Sequence, residues 1–458
     1  MLRGLAPALA ATLPDCRYDA RVKVYRAPGW RYPELMAVLA RSGHAWDDRV
    51  ERLGDAPGAT AVPTLRDYQA AALLAWEAAG RRGVVVLPTG AGKTRLAVAA
   101  IATTGLRTLC LVPTRVLLDQ WVRVLAEARA DRIGVYGDGQ RLEAPISVAT
   151  FASARLMADR FGDRFELIVI DEVHHFGGGG GDEVLELCIA PARLGLTGTP
   201  PDAPDRCARL EALVGPVVYA VGVAELAGTW LAPFEVQTLP VDLTAEERRA
   251  YEADVATFRT AWRRWRVLAG DRPWADFLRA ASASSSGRAA VEAWRRSRAL
   301  VRQCEGKRRV VGGLLERLRD GRVLIFTATA ALAHALAREH LIPVITSDIG
   351  RQEREWMLAA FARGEVRTIV SARVLNEGVD VPEADVAVLL GGSQGNREYV
   401  QRVGRVLRPV PGKRALVVEV VARGTFESDN ALRRQERAEP HGGGVDRAPG
   451  PEGNVDAP

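Results

Sequence analysis

The run Gly83-Val84-Val85-Val86 passes directly into Leu87-Pro88-Thr89-Gly90-Ala91-Gly92-Lys93-Thr94 and then into Arg95-Leu96-Ala97-Val98-Ala99-Ala100. A short apolar strand, a glycine-bearing turn and a helix, in that order, point to the open α/β sheets in which each strand feeds a helix that covers one face. The turn also has a chemical meaning. The backbone N–H groups of Thr89, Gly90, Ala91 and Gly92, backed by the positive end of the helix dipole, can surround a polyphosphate. Lys93 can reach the outer phosphate oxygens, and the Thr94 hydroxyl is a suitable Mg2+ ligand. The segment therefore predicts an ATP site. One position departs from the GxxxxGK(S/T) pattern, because Leu87 stands where its first glycine would be.

A second strand supplies carboxylates. Phe165 to Ile170 is almost wholly apolar, as befits a parallel strand buried on both faces, and it ends in Asp171-Glu172-Val173-His174. Asp171 is placed to hold Mg2+ and Glu172 to orient and deprotonate an attacking water. The plainer alternative is that these acids cap a following helix. Adjacent His174 and His175 share neither a helix face nor a strand face, so they do not read as a metal pair. We assign His174 to a relay beside the ATP site and His175 to structure.

Composition narrows the remainder. No apolar stretch approaches a membrane span, and Met1 to Pro14 lacks the sustained apolar core of a secretory leader, so a cytoplasmic, nucleoid-associated protein is expected. The five cysteines are scattered without CxxC spacing, which argues against disulfide frameworks, zinc ribbons and iron–sulfur clusters. Positive charge is concentrated. Residues 259 to 309 carry 13 arginines and one lysine against four acids, a net +10 within a chain of net +6. There Trp262, Arg263, Arg264, Trp265 and Arg266 interleave flat aromatics with guanidinium groups, a combination suited to nucleic-acid phosphates and exposed bases. A solvated helical hairpin with its tryptophans packed inward is the alternative.

Along the chain, Cys16 to about Pro63 reads as a small strand-and-helix unit ending in a Pro/Gly/Ala linker. Strands ending near Leu87, Val112, Thr150, Ile170 and Leu196 then alternate with helices as a doubly wound parallel sheet. A helical region broken at Ser282 to Gly287 follows, and after it come further strands at 323–326, 343–345, 368–370, 386–390 and 415–418. The expected architecture is α/β: two doubly wound parallel-sheet lobes with a helical insert and a small N-terminal α+β domain. The domains are read as 1–63, 64–240 and 241–437, with the insert at about 252–303 and a disordered tail at 438–458.

Leu65-Arg66-Asp67-Tyr68-Gln69, PTGAGKT from Pro88, VPTR from Val112, ATF from Ala149, DEVHH from Asp171, LTGTP from Leu196, NEGVDVP from Asn376 and QRVGRVLRP from Gln401 follow in one order. Together they resemble the motif set of superfamily-two helicases, which implies that the two lobes are RecA-like. LRDYQ, DEVHH, the arginine-rich insert and QRVGRVLRP resemble most closely the XPB-like branch, over about Tyr18 to Arg437. By that resemblance Gln69 reads adenine with Arg66 nearby, Arg405 and Arg408 reach the γ-phosphate, and Gln401 contacts phosphate or water. Gly378 and Asp380 link nucleotide to the strand-binding surface. Pro113, Thr114, Arg115 and Thr150 touch one strand's backbone, while Thr197 and Thr199 transmit lobe closure. The insert resembles the thumb of that branch, and residues 16 to 53 a shortened damage-recognition domain.

Two positions depart from the branch: Asp202-Ala203-Pro204 replaces an Arg-Glu-Asp associated with strand separation, and Gly198 replaces the alanine of LTATP. The implied activity is ATP- and Mg2+-dependent 3′–5′ movement on DNA, with a nuclease, repair or transcription protein as partner. The rivals are the translocating subunit of a restriction system and a non-hydrolysing ATP-gated clamp. Backbone contacts alone do not distinguish DNA from RNA.

Overall fold

A computed structural model describes the chain except for residues 49, 51–59, 129–131, 138, 202, 227, 231–232, 271, 273, 373–383, 392–414 and 439–458. The chain falls into two compact units, Met1–Glu225 and Leu226–Pro458.

In the first unit, β1 (Arg17–Asp19) and β2 (Val24–Arg26) form an antiparallel hairpin followed by the helix Tyr32–Arg41. The main sheet comprises β3 (Arg82–Val86), β4 (Thr108–Val112), β5 (Ile133–Gly137), β6 (Gln140–Leu142), β7 (Ile146–Thr150), β8 (Leu167–Asp171), β9 (Ala192–Thr197) and β10 (Val217–Ala220). Their spatial order is β10-β3-β9-β8-β4-β7-β5-β6, parallel throughout except for β6 at the edge. β4, β8 and β9 are buried along their whole length, as continuous apolar runs covered on both faces require. The chain leaves β3 through the glycine loop, and β9 and β8 later fill the space between β3 and β4. Five motif loops consequently line the carboxyl edge of the sheet in the spatial order PTGAGKT, LTGTP, DEVHH, VPTR and ATF. Open α/β sheets bind ligands at such a switch in strand order.

The N-terminal segment is docked onto this unit. Trp30, 6% exposed, joins the core that contains Phe161, Phe165 and Leu185. A Cβ on Gly29 would lie 2.1 Å from the Leu187 carbonyl oxygen, so only glycine permits that approach. A buried arginine ties the base of the sheet. Arg193 is fully buried and donates to the carbonyls of Leu185, Cys188, Ala190 and Leu213 at 2.7–3.1 Å. Burial without a carboxylate partner pulls its guanidinium down to about 10. The five-glycine run Gly177 to Gly181 is anchored at Gly177 and Gly179, whose N–H groups donate to the buried Asp182 carboxylate at 2.9 and 3.1 Å.

The second unit carries β11 (Phe234–Val241), β12 (Val323–Thr327), β13 (Val344–Ile345), β14 (Thr368–Ala372), β15 (Val386–Leu390) and β16 (Ala415–Ala422). They form a parallel sheet ordered β11-β16-β15-β12-β14-β13. β11 pairs with β16 over its eight residues, so Phe234–Val241 belongs to the second unit and the boundary drawn at 240/241 falls one strand too late. Pro240 is tolerated because β11 is an edge strand with a free side.

The insert consists of the helices Ala245–Ala269, Trp274–Ser282 and Ser285–Arg302, beginning a few residues before 252. A reciprocal cap starts it: Thr244 Oγ1 accepts from Glu247 N at 3.2 Å and Glu247 Oε2 accepts from Thr244 N at 2.9 Å.

Directly after the insert, the helix Glu305–Arg317 is fastened to the last described helix, Phe426–Ala438, by a fully buried ion pair. Lys307 Nζ lies 2.7 and 2.6 Å from the two Glu427 oxygens and 2.8 Å from Val301 O, and Glu427 also accepts from Ala422 N at 3.1 Å. Lys307→Ala leaves that carboxylate buried without a cation. We expect a loss of about 3–5 kcal/mol in the second unit, read from denaturant unfolding, whereas Lys307→Met with Glu427→Leu should recover most of it.

Candidate nucleotide site

Each functional side chain at the carboxyl edge is positioned by backbone geometry the sequence imposes. Leu87 continues β3, its N–H donating to Thr197 O at 2.9 Å, and it has no left-handed φ, so no glycine is needed there. The turn proper needs Gly90 (φ +85°) and Gly92 (φ +77°). Gly92 also makes room for Gln69, whose Nε2 would lie 2.5 Å from a Cβ at that position. Lys93 opens the helix Lys93–Thr104, and its Nζ donates to Leu87 O at 3.2 Å, across the mouth of the loop. Thr89 and Thr94 are half-buried in the same turn. A Cβ on Gly198 would meet Leu87 O, Lys93 Nζ and Thr89 Oγ1 at 3.8–3.9 Å, ordinary contact distances, so the departure from LTATP is sterically neutral.

Gln69 is buried and braces the loop. Its Nε2 donates to Ala91 O at 2.8 Å and its Oε1 accepts from Arg66 N at 3.0 Å, while Tyr68 OH donates to Ala91 O at 2.7 Å.

Asp171 ends β8 almost fully buried. Its Oδ2 accepts from Trp121 Nε1 at 3.0 Å and its Oδ1 from Glu172 N at 3.0 Å. Burial pushes its carboxyl up, opposed by the Lys93 charge and the Trp121 donor. Glu172 follows in the left-handed region (φ +51°), a conformation costing on the order of 1 kcal/mol that is characteristic of functional turns.

His174, 1% exposed, stands between this acid and the next strand. Its Nδ1 lies 3.0 Å from Thr197 Oγ1 and 3.3 Å from Glu172 Oε2. The Thr197 hydroxyl hydrogen is already given to Thr199 O at 2.7 Å, so Nδ1–H is the donor to Thr197 Oγ1, and the Glu172 oxygen lies near the ring without a hydrogen bond to it. His174, Thr197 and Thr199 thus form one hydrogen-bonded chain with Glu172 beside it, whereas His175 is exposed with its ring 5.6 Å from Phe151. Among the described residues no group of three or more His, Cys, Asp or Glu is placed to hold a metal. Thr94 and Asp171 suit Mg2+, which takes one or two protein oxygens and fills its shell with water and phosphate.

Farther along the edge, Thr114 and Thr150 cap helices, accepting from Leu117 N at 3.3 Å and Ser153 N at 3.2 Å; Pro113 is half-buried and Arg115 exposed. Gly378, Asp380, Gln401, Arg405 and Arg408 lie outside the described residues, as does Asp202. Ala203 and Pro204 instead cap and open the helix Pro204–Leu213.

In the insert, Trp262 differs from its expected role. It is 7% exposed and packs with Phe277 (centroids 4.9 Å, edge-on) and Trp265 (5.3 Å), inside a cluster with Phe258 and Trp274. This aromatic cluster is where the three helices pack on one another, so the ring goes inward and is not free to stack on a base. Arg263 and Arg264 are exposed and Arg266 half-buried, its guanidinium 6.0 Å from the Trp262 ring. Sequence reasoning missed Trp121 and the docked Trp30; an indole needs a partner for its N–H when buried, but spacing does not say which partner.

All five cysteines are free thiols, Cys16 and Cys207 half-buried and the rest buried. No described helix is long and apolar enough to cross a membrane.

Family models match three parts of the chain: "Xeroderma pigmentosum group B helicase damage recognition domain" over residues 1–50, "Type III restriction enzyme, res subunit" over 63–202 and "Helicase conserved C-terminal domain" over 306–410. The first match begins at residue 1, earlier than the start near residue 16 read from the sequence. The chain is 33% identical over 429 residues to the DNA 3′-5′ translocase XPB2 of Sulfurisphaera tokodaii, covering 93% of this chain and 97% of that protein. It is 32% identical over 385 residues to the DNA 3′-5′ helicase XPB of Mycobacterium tuberculosis, covering 81% of this chain and 63% of the longer relative. The Hef helicase domain of Pyrococcus furiosus has the same fold, with a TM-score of 0.52 at 19% identity over 80% of this chain and 98% of that one. The ordered motifs, the carboxyl-edge site they build and a relative matched along nearly its whole length converge: the chain belongs to the XPB-like branch of the superfamily-two DNA helicases.

Proposed function

We propose that the chain is an ATP-driven DNA translocase and helicase moving 3′ to 5′, in which the first unit binds and cleaves ATP and the second supplies the charge that completes the reaction. The observation that carries this reading is the setting of Glu172. An imidazole anchored to Thr197 lies 3.3 Å from the carboxylate of an acid that stands in a strained turn directly after the buried Asp171, at the edge where the glycine loop and Lys93 also lie. Lys93 binds the outer phosphates, and Thr94 and Asp171 would hold Mg2+, which supplies charge neutralisation when bound. Glu172 takes the proton of the attacking water. Gln69 and Arg66 recognise the adenine, Gly378 and Asp380 link nucleotide to strand, and Gln401, Arg405 and Arg408 act on the phosphate. His174, Thr197 and Thr199 carry the state of the site toward the strand-binding edge at Pro113, Thr114, Arg115 and Thr150. A nuclease, repair or transcription partner and a nucleoid-associated, cytoplasmic location follow from the same reading.

The experiment is ATP turnover with and without single- and double-stranded DNA. Turnover that DNA raises supports the motor; ATP binding without turnover would favour the clamp. The basic insert is tested separately. Replacing Arg263, Arg264 and Arg266 by Ala should lower DNA affinity and flatten its dependence on log salt by up to about three counterions, with DNA-free turnover preserved. An unchanged slope would remove the insert from the DNA surface.

A further inference from the structure

Trp121 reaches the candidate metal carboxylate from the helix that follows the VPTR motif. It lies on the helix Arg115–Glu127, is fully buried, and donates its Nε1–H to Asp171 Oδ2 at 3.0 Å across 50 residues of sequence. Core packing alone does not require this pairing. Another buried indole of the first unit, Trp76 on the helix Asp67–Ala78, is satisfied by a backbone carbonyl, Arg193 O at 2.9 Å, which is the ordinary solution. Trp121 spends its only donor on a carboxylate whose second oxygen is held by Glu172 N. Two donors from different directions fix the plane of the carboxyl group and leave its remaining lone pairs aimed into the site.

The same helix starts at the proposed strand contacts. Thr114 caps it and Arg115 is exposed in its first turn, seven residues or about 10 Å of helix from Trp121. Leu118, Trp121 and Leu125 are its buried face, so a shift of its first turn moves the indole with it rather than bending the helix between them.

We propose that Trp121 is a positioning residue that couples backbone contact at the start of the helix Arg115–Glu127 to the orientation of Asp171, and through it to the metal-bound nucleotide. The inference rests on the helicase reading above. Because such coupling is reciprocal, it is measurable without turnover: a nucleotide that uses Asp171 changes DNA affinity, and the size of that change depends on the indole N–H.

The test uses the full chain, a labelled single-stranded oligonucleotide and fluorescence anisotropy, in the absence of nucleotide and with Mg2+ plus a non-hydrolysable ATP analogue. Trp121→Phe keeps a ring and removes the N–H. Its nucleotide-free DNA affinity should equal the wild type's, the effect of the analogue on that affinity should shrink at least several-fold, and the Mg2+ concentration giving half the analogue's effect should rise about tenfold. Trp121→His, which retains a ring N–H at shorter reach, should fall between the two. Leu125→Ala, on the same buried face but without a polar group, should lower the unfolding midpoint and leave the coupling intact. The proposal is overturned if Trp121→Phe couples like the wild type, or if Leu125→Ala loses coupling to the same degree, which would assign the effect to helix packing. A wild-type chain whose DNA affinity is indifferent to the analogue would remove the motor reading itself, and the proposal with it.

Discussion

Arg405→Ala is expected to bind ATP about as well as the wild-type chain and to lose on the order of a thousandfold in DNA-stimulated turnover. The reasoning begins with charge. Phosphoryl transfer needs little covalent help and much neutralisation of the transferring group, and a guanidinium is planar, permanently charged and able to contact two oxygens at once. The first unit holds the glycine loop and Lys93, which suffice to bind the ground state, while Arg405 belongs to QRVGRVLRP in the second unit. A group that acts only on transition-state charge lowers turnover without weakening binding. The measurement is a DNA titration at saturating ATP for wild type and variant. Equal fold stimulation would mean that the second unit does not complete the reaction, and strand separation should then survive the substitution too.

Glu172→Gln is expected to retain ATP and DNA while slowing hydrolysis by on the order of a hundredfold or more. The amide has nearly the shape of the acid and still fills the left-handed turn, and the His174–Thr197 hydrogen bond does not involve it, so the variant separates loss of the base from loss of structure. Lys93→Ala should do the reverse and weaken ATP binding first. Single-turnover cleavage beside nucleotide affinity distinguishes them; wild-type cleavage by Glu172→Gln would move the base elsewhere.

How much of this was legible depended on whether a feature was local. The strands at β3, β4, β7, β8 and β9, and those of the second sheet from β12 onward, are short apolar runs bounded by turn residues, and each lies where its pattern placed it. Edge strands were unevenly legible: β13 was read and β11 was not. β11 carries Glu235, Gln237 and Pro240, as an edge strand among the described residues can, so it lacks a continuous apolar run and the domain boundary was placed after it. Trp262 was misread for a related reason. Alternating tryptophan and arginine in the sequence says nothing about which residue type faces the neighbouring helices; the aromatic cluster with Phe258 and Phe277 decides it.

By itself the sequence determined the chemistry: a glycine turn before Lys93 and Thr94, two carboxylates after a buried strand, and an order of motifs too long to arise by chance. Those properties are local, set by backbone conformation and residue type within a few positions. Only the tertiary structure decided the neighbours. Strand order β3-β9-β8-β4 inserts two late strands between two early ones, which brings Thr197 beside His174 and Trp121 against Asp171. No spacing along the chain encodes those contacts, because they follow from which buried strands pair, and pairing is chosen by the burial of whole faces rather than by any single residue.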